Sequence, residues 1–430
     1  MNLREIVLQD LISFTKDGEW GKDKDTGSSV EMYVIRGTDF QDVKAGYFGN
    51  LPIRWIPKHI ADKKTLEAGD VLIELAGGTE DNPTGRTCYV SEEFIANSDK
   101  PLTVASFSRF IRFDNSICDS NYIYWMLHFL HKYRIIKKYH VQHTGTSRFQ
   151  WTLFSNKEKI KVHELPIQRK IANILSAYDE LIENNKKRIK LLEEMAEEIY
   201  KEWFVRMRFP GYEKTKFFKE QGKQVPYGTN GALPEGWERT ALTAIVDVLS
   251  GGTPKTEKPE FWNGQIPFFS PKDYKGEVFC FKTESYITKL GLRNCNSRLF
   301  EEDTIIITAR GSVGNILLTG CSMAMNQSCF ALAGKNNISN YYVYKLLLAN
   351  ADHFKKVANG ATFGAITIKT FEQTKVVLPS ISIIEKFNQC IFPFFEEIKI
   401  LSQKNILLQE TRDLLLPRLM SGKLNVEGIA

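Results

Sequence analysis

From Leu165 to Phe204 the chain reads LPIQRKIANILSAYDELIENNKKRIKLLEEMAEEIYKEWF, with no glycine and only one proline, Pro166, where a helix start tolerates it. Apolar or seam residues recur at Ile167, Ile171, Ile174, Tyr178, Leu181, Asn185, Ile189, Leu192, Met195 and Ile199. Steps alternating between three and four are the signature of a coiled-coil seam. A helix of about 40 residues would be roughly 60 Å long. Such a helix, polar on most of its circumference, needs a partner. The sequence offers one from about Ser382 to Met420, with a seam of Ile384, Phe387, Ile391, Phe394, Ile398, Leu401, Asn405, Leu408 and Leu415. Ser382 and Glu385 form a capping-box pattern at its start. Pro393 predicts a kink or a separate first short helix, and Pro417 with Gly422 marks the end. If the chain folds back, the midpoints near residues 186 and 401 oppose each other in an antiparallel pair. Asn185 and Asn405 lie near those midpoints. Either they are buried within a turn of each other and fix register, or both face solvent.

A faint duplication precedes each helix. Leu8 matches Leu242, and VIRGTDF from Val34 matches FFSPKDY from Phe268, both at an offset of 234. Asp70 before Val71-Leu72-Ile73 matches Asp303 before Thr304-Ile305-Ile306. Ser120-Asn121-Tyr122 matches Ser339-Asn340-Tyr341, Gly145 matches Gly360, Leu165-Pro166 matches Leu378-Pro379, and Leu191-Leu192 matches Leu407-Leu408. The order never changes, and the first copy is longer by 21 residues before its helix, the offset falling from 234 to 213. The chain therefore reads as globule, long helix, globule, long helix.

The first globule, 1–164, has strand-like runs in MYVIRGTDF and DVLIELAGG and a helical pattern in NYIYWMLHFLHKYRIIKKY. Its long helix occupies 165–208, and 209–232 is an irregular connector rich in Gly, Pro, Lys and aromatics. The second globule, 233–378, repeats the plan with IPFFSPKDY, TIIITARGS and NYYVYKLLLANADHFKKV. The second helical region is 379–424. With 430 residues, at least two domains are expected. The net charge of +6 permits a nucleic-acid partner and fits a neutral scaffold equally. The N-terminus lacks a signal-peptide apolar core, no apolar run reaches membrane-spanning length, and seven scattered cysteines form no CxxC. These features point to buried thiols in a reducing cytoplasm and away from a membrane or zinc.

LPEGWERTALTAIVDVLSGGTPKTEKPEFWNGQIPFFSPKD resembles the start of a target recognition domain in specificity (S) subunits of type I restriction–modification systems. The marks are Leu233-Pro234-Glu235-Gly236-Trp237, Gly251-Gly252-Thr253-Pro254, Trp262, Ile266-Pro267 and Lys272-Asp273. Ala309-Arg310-Gly311-Ser312-Val313-Gly314 is similar to the family's strand–turn segment, and Arg412 to Leu424 to its C-terminal helix ending. The central helix resembles the family's as well. The first domain lacks a clear GGTP, and Gly77-Gly78-Thr79 with Gly85-Arg86 only loosely replaces RGSVG. The resemblance implies an α+β fold with two similar target recognition domains, each followed by a long helix, the helices packed as an antiparallel coiled coil. It implies a non-catalytic DNA-binding subunit in which each domain reads half of a split target. It further implies that the helices act as a ruler and dock two methyltransferase subunits, that motor–nuclease subunits join, and that S-adenosylmethionine, ATP and Mg²⁺ belong to those partners.

The residues agree with a chain that is not itself an enzyme. There is no GxxxxGK[ST] phosphate loop, no Asn/Asp-Pro-Pro-aromatic segment and no HExxH. His128, His131, His140 and His143 cluster in or beyond a helical stretch, as metal ligands or as ordinary surface or core histidines. Phosphates need Lys, Arg or backbone N–H, and base edges need forked donors. Loops that combine cations, hydroxyls and glycine nominate Thr253, Lys255, Lys272, Arg310, Ser312, Thr362 and Phe363 in the second globule. In the first they nominate Lys22, Arg36, Arg54, Lys58, Arg86, Ser147 and Arg148. Two heads one B-DNA turn apart, about 10 base pairs, would read half-sites of about 3–4 base pairs across a gap of roughly 6–7. The rivals are a coiled-coil assembly scaffold, a single-chain DNA enzyme, and the specificity subunit of a related methyltransferase system.

Overall fold

A computed structural model describes residues 3–78, 83–143, 146–360 and 364–428. The chain forms two compact units that do not follow chain order: Met1–Asn184 with Asn405–Ala430, and Asn185–Lys404. Each unit thus combines one globule with part of both long helices.

In the first unit an antiparallel sheet runs Ile12–Asp17, Ser108–Phe113, Val71–Glu74, Thr87–Tyr89. A second sheet runs Ile53–Pro57, Ser29–Ile35, Leu102–Val104, its last two strands parallel. Arg4–Val7 pairs with Lys159–Val162. The second unit repeats every order. Val246–Ser250, Cys329–Gly334, Ile305–Thr308 and Ile316–Thr319 form its larger sheet, extended by Phe279–Cys280. Ser285–Ile287, Trp262–Phe269 and Ala324–Met325 form the smaller, again with a parallel last pair, and Glu238–Ala241 pairs with Lys375–Leu378. The helices Ser120–Lys132 and Asn340–Ala349 sit at the same point, their starts one residue away from the sequence pairing. The extra length of the first copy includes a hairpin, His140–His143 with Thr146–Phe149, that adds to Ala76–Gly78.

The first long helix is α-helical over Leu165–Tyr200 and widens into a π turn over Lys201–Val205. Its buried face differs in detail from the predicted seam. Leu181 and Met195 are about half exposed, at 51% and 50%, whereas Ile182 and Ala196 are buried. The period held, but the face is rotated by one residue at these two positions. The second long helix is continuous over Ile381–Met420. The capping-box pair Ser382 and Glu385 therefore lies inside the helix, and Pro393 splits off no separate segment. An interior proline costs about 3 kcal/mol and leaves the carbonyl four residues earlier unbonded. Here Pro393 and Gln389 are exposed, so water can serve that carbonyl. Phe387, Ile391, Phe395 and Ile398 are buried on the opposite face. At about 1.5–3 kcal/mol for each such side chain, their burial outweighs the proline.

The helices pack antiparallel within each unit. In the first, Asp179 pairs with Arg412, and the His163 ring lies 2.9 Å from the Leu419 carbonyl oxygen. In the second, Arg188 pairs with Glu397 at 2.5 Å and Tyr200 stacks edge-on to Phe387 at 6.0 Å. Asn185 and Asn405 are both buried, which removes the solvent-facing alternative. The expected irregular connector carries a small sheet, Phe217–Phe218 between Gln224–Val225 and Leu233–Pro234, and Phe209, Leu233 and Trp237 bury against Ile383. Cys88, Cys118, Cys280 and Cys329 are buried free thiols, but Cys390 is exposed. Among the described residues no helix is long and apolar enough to cross a membrane.

Candidate functional site

In the second unit the strand ending at Ser250 runs into Gly251-Gly252, which cross another strand at close range. A Cβ on Gly251 would lie 2.1 Å from the Asn326 carbonyl oxygen, so only glycine fits. The crossing delivers Thr253 to the surface, where its hydroxyl donates to the Gln327 side chain. Gln327 belongs to a tight turn, closed by the Cys329 N–H donating to Asn326 O at 3.3 Å. Next to that turn, Ala309 N–H donates to Ser328 O at 2.7 Å. Arg310-Gly311-Ser312 then projects as an exposed turn in which the Thr308 hydroxyl donates to Ser312 O and accepts from Asn315 N–H at 3.0 Å. On the far side, the strand ending at Phe269 opens a 3₁₀ turn closed by the buried Asp273. Its carboxylate accepts from Ser270 N–H at 2.8 Å, Ser270 Oγ at 2.6 Å and Glu284 N–H at 2.7 Å. Lys272 stands exposed on this turn, 3.0 Å from Glu284, whose carboxylate raises the lysine pKa.

The first unit builds the same rim from different residues. Gly18 takes the place of Gly251, since a Cβ there would meet Val104 O at 2.0 Å. The turn Ala105-Ser106-Phe107-Ser108 replaces Asn326–Cys329, and Leu75 N–H donates to Phe107 O at 2.8 Å as Ala309 does to Ser328. Asp39 takes the place of Asp273: it is buried and accepts from Arg36 N–H at 2.9 Å. Gly85, at φ 94°, corresponds to Gly314, at φ 81°. Each donates its N–H at 2.9 Å to the last residue of the preceding strand, Glu74 or Thr308. The missing GGTP and RGSVG of the first copy thus have structural counterparts that spacing in the sequence hides.

The family model for the type I restriction modification DNA specificity domain matches residues 30–194 and 234–410. The chain belongs to the family of type I restriction–modification specificity subunits. The MjaIX specificity subunit of Methanocaldococcus jannaschii is 30% identical over 99% of this chain and 98% of its own length. The HindI specificity subunit of Haemophilus influenzae is 27% identical over 45% of this chain and 42% of its own. A crystal structure of a type I S subunit from M. genitalium shares the fold, with a TM-score of 0.61 at 17% identity over 97% of this chain and 96% of that one.

The nominated residues of this specificity subunit fall into three groups. Lys22, Lys58 and Arg148 in the first recognition domain, and Thr253, Lys255, Lys272, Arg310 and Ser312 in the second, are exposed. Arg36, Arg54 and Arg86 are committed to ion pairs that hold the rim. Arg36 grips Asp39 through two bonds of 2.8 Å, and Arg86 grips the buried Glu74 at 2.9 and 2.6 Å, which raises the pKa of both guanidinium groups. Arg54 pairs with Asp23 and lies 4.9 Å over the Trp20 ring. Ser147 is buried in its hairpin. Thr362 and Phe363 lie outside the described residues. Ile366 N–H donates to Ala309 O at 3.0 Å.

Lys22 forms an isolated bridge with Trp55, the neighbour of Arg54, at the edge where Lys58 begins a helix. Arg36, Arg86 and Arg148 gather instead around Glu74–Gly78. Sequence reasoning missed Gln327 and Phe107. Only the alignment of the two turns, available once the strands are in register, exposes them. Of the clustered histidines, His128 packs edge-on to Trp125 at 5.6 Å, and His131 lies 3.0 Å from Pro83 O. Among the described residues no group of three or more His, Cys, Asp or Glu side chains is placed to hold a metal.

Proposed function

We propose that this chain is the DNA-reading subunit of a type I restriction–modification complex, each recognition domain reading one half-site of a bipartite target through the major groove. The observation that carries this is the twice-built rim. Two domains with one strand order present the same three loops, yet fill them with different side chains. That is what reading two different short sequences with one scaffold requires, because phosphate contacts position a protein and side chains at base edges specify the sequence. The exposed cations Lys22, Lys58, Arg148, Lys255, Lys272 and Arg310 supply donors for both tasks.

The long helices are the docking surface for two methyltransferase subunits in this reading. Large apolar side chains stand exposed on them: Leu181, Leu407 and Leu414 in the first unit, and Leu191, Met195, Phe392 and Ile400 in the second. Motor–nuclease subunits complete the restriction enzyme. S-adenosylmethionine, ATP and Mg²⁺ are bound by the partners, and the assembly works in the cytoplasm.

The test is binding by the chain reconstituted with its methyltransferase subunits. Methylome sequencing of a host carrying the system supplies the target. The complex should bind that duplex far more tightly than one with either half-site scrambled. Its affinity should also fall steeply between 50 and 200 mM salt, by about 10³-fold if some six phosphates are contacted. Equal affinity for random and specific duplexes, with little salt dependence, would leave a coiled-coil assembly scaffold as the better description.

A further inference from the structure

Phe107 is the feature the fold does not need. It sits at the third position of the turn Ala105-Ser106-Phe107-Ser108, closed by Ser108 N–H donating to Ala105 O at 2.9 Å. The strands on either side are anchored in the core: Leu102, Val104, Phe110 and Ile111 are all at most 2% exposed. Phe107 is 67% exposed, the most of any large apolar residue described. A single exposed apolar residue is ordinary on a protein surface. This one is set apart by its position.

Its carbonyl is bonded to Leu75, which heads the segment carrying Ala76–Gly78 and, through strand pairing, Arg148. One residue before the turn's tip, Ala105 N–H donates to Ile35 O at 2.8 Å, beside Arg36. The ring therefore projects from a rigid turn between the segments that bear Arg36, Arg86 and Arg148. The matching turn of the second recognition domain carries Ser328 in its place, half buried and polar. One scaffold position thus holds a rigid aromatic in one domain and a small hydroxyl in the other.

We infer that Phe107 is a specificity-determining residue of the first recognition domain, reading the C5-methyl group of a thymine in that domain's half-site. This rests on the DNA-reading assignment above. Thymine is the one standard base that offers an apolar group in the major groove, and a phenyl edge is among the side-chain surfaces that meet it. Arg148, exposed on the neighbouring strand, is the cation that holds the DNA backbone beside it, so the ring meets the base edge without carrying the cost of positioning the protein.

The experiment uses the complex reconstituted with the methyltransferase subunits and the target defined by methylome sequencing. Each thymine of both half-sites is replaced in turn by uracil, which removes only the methyl group. The wild-type complex should lose roughly tenfold in affinity at one position. Phe107→Ala should bind the thymine and uracil duplexes alike at that position, while every substitution in the other half-site acts on both proteins equally. Phe107→Ser, the side chain of the matching turn, should behave as Phe107→Ala, and Phe107→Leu should keep part of the discrimination. Phe107 lies outside the core, and circular dichroism with retained reading of the other half-site shows that a variant is folded.

The inference is overturned if Phe107→Ala keeps the full uracil discrimination, if its effects spread over both half-sites, or if no thymine in either half-site is methyl-sensitive. It is overturned in favour of base-step intercalation if Phe107→Ala loses affinity for thymine and uracil duplexes equally and the wild type alone kinks the DNA. A wild-type complex with no sequence preference at all would instead sink the DNA-reading assignment itself.

Discussion

The two recognition domains place the same backbone hub at the end of one central strand and fill it with opposite chemistry. In the first, Glu74 ends the strand; its N–H donates to Arg86 O at 2.9 Å and its buried carboxylate is clamped by the Arg86 guanidinium. In the second, Thr308 stands there; its N–H donates to Asn315 O at 2.9 Å and its hydroxyl ties Ser312 to Asn315. The main-chain bonds are identical and the side-chain devices are unrelated. Backbone hydrogen bonds and close glycine crossings define the scaffold, and the side chains above it are free to differ. The ionic hub also has a longer loop to hold, residues 75–85 against 309–314.

The deepest test of that equivalence is at the crossings. Gly251→Ala would place a methyl carbon 2.1 Å from Asn326 O, and Gly18→Ala one 2.0 Å from Val104 O. Neither obstacle is a flexible side chain, so the backbone must move. Each substitution should cost about 3 kcal/mol, the upper end for overpacking, measured by chemical denaturation. Hydrogen exchange should show the loss confined to the substituted unit. A large cost at Gly251 with none at Gly18 would mean that the two crossings are not the same device.

The hubs should then part company. Arg86→Met leaves the Glu74 carboxylate buried without its counter-ion, a change worth 3–5 kcal/mol at a fully buried pair. Arg86 is 34% exposed, so water can partly replace it and about 2 kcal/mol is expected. Adding Glu74→Gln should recover part of that loss. Thr308→Val removes one hydroxyl from two neutral bonds and should cost about 1 kcal/mol. If both substitutions cost the same, and Glu74→Gln rescues nothing, the contrast between ionic and neutral hubs has no energetic content.

Much of this was legible beforehand because it is periodic or repeated. Steps of three and four announced both long helices, and the offset of 234 announced the duplication. What escaped was set by the third dimension. The buried face of the first helix turned on Ile182 and Ala196 in place of Leu181 and Met195, a difference of one residue that a seam pattern tolerates either way. Pro393 kept the helix whole because it faces water, which is a property of packing and not of the local sequence. Arg36, Arg54 and Arg86 read as free cations in a string of letters, yet their carboxylates arrive from 3 to 31 positions away. Phe107 belongs to no motif in the sequence, and only its turn, laid over that of Ser328, sets it apart.

The smallest contrast lies on the helices that start at Ser120 and Asn340. With those starts aligned, His128 of the first unit stands where the second has Leu348, an apolar residue packed against its core. Burial, then the nearby charges of Lys44, Arg412, Lys132 and His131, lower the His128 pKa from 6.5 to about 3. The folded chain therefore keeps this ring neutral at acidities where the unfolded chain protonates it. Its contribution to stability is complete above about pH 6.5 and is lost as the pH falls from there toward 3. A full shift would give about 1.4 kcal/mol per pH unit in that window, and with partial relaxation about 1 kcal/mol should disappear between pH 6.5 and 5. His128→Leu, which installs the side chain of the second unit, should remove that acid sensitivity from the exchange-protected amides of the first unit and leave those of the second as they were. An acid response unchanged by His128→Leu would assign it to other groups and leave the two helices electrostatically alike.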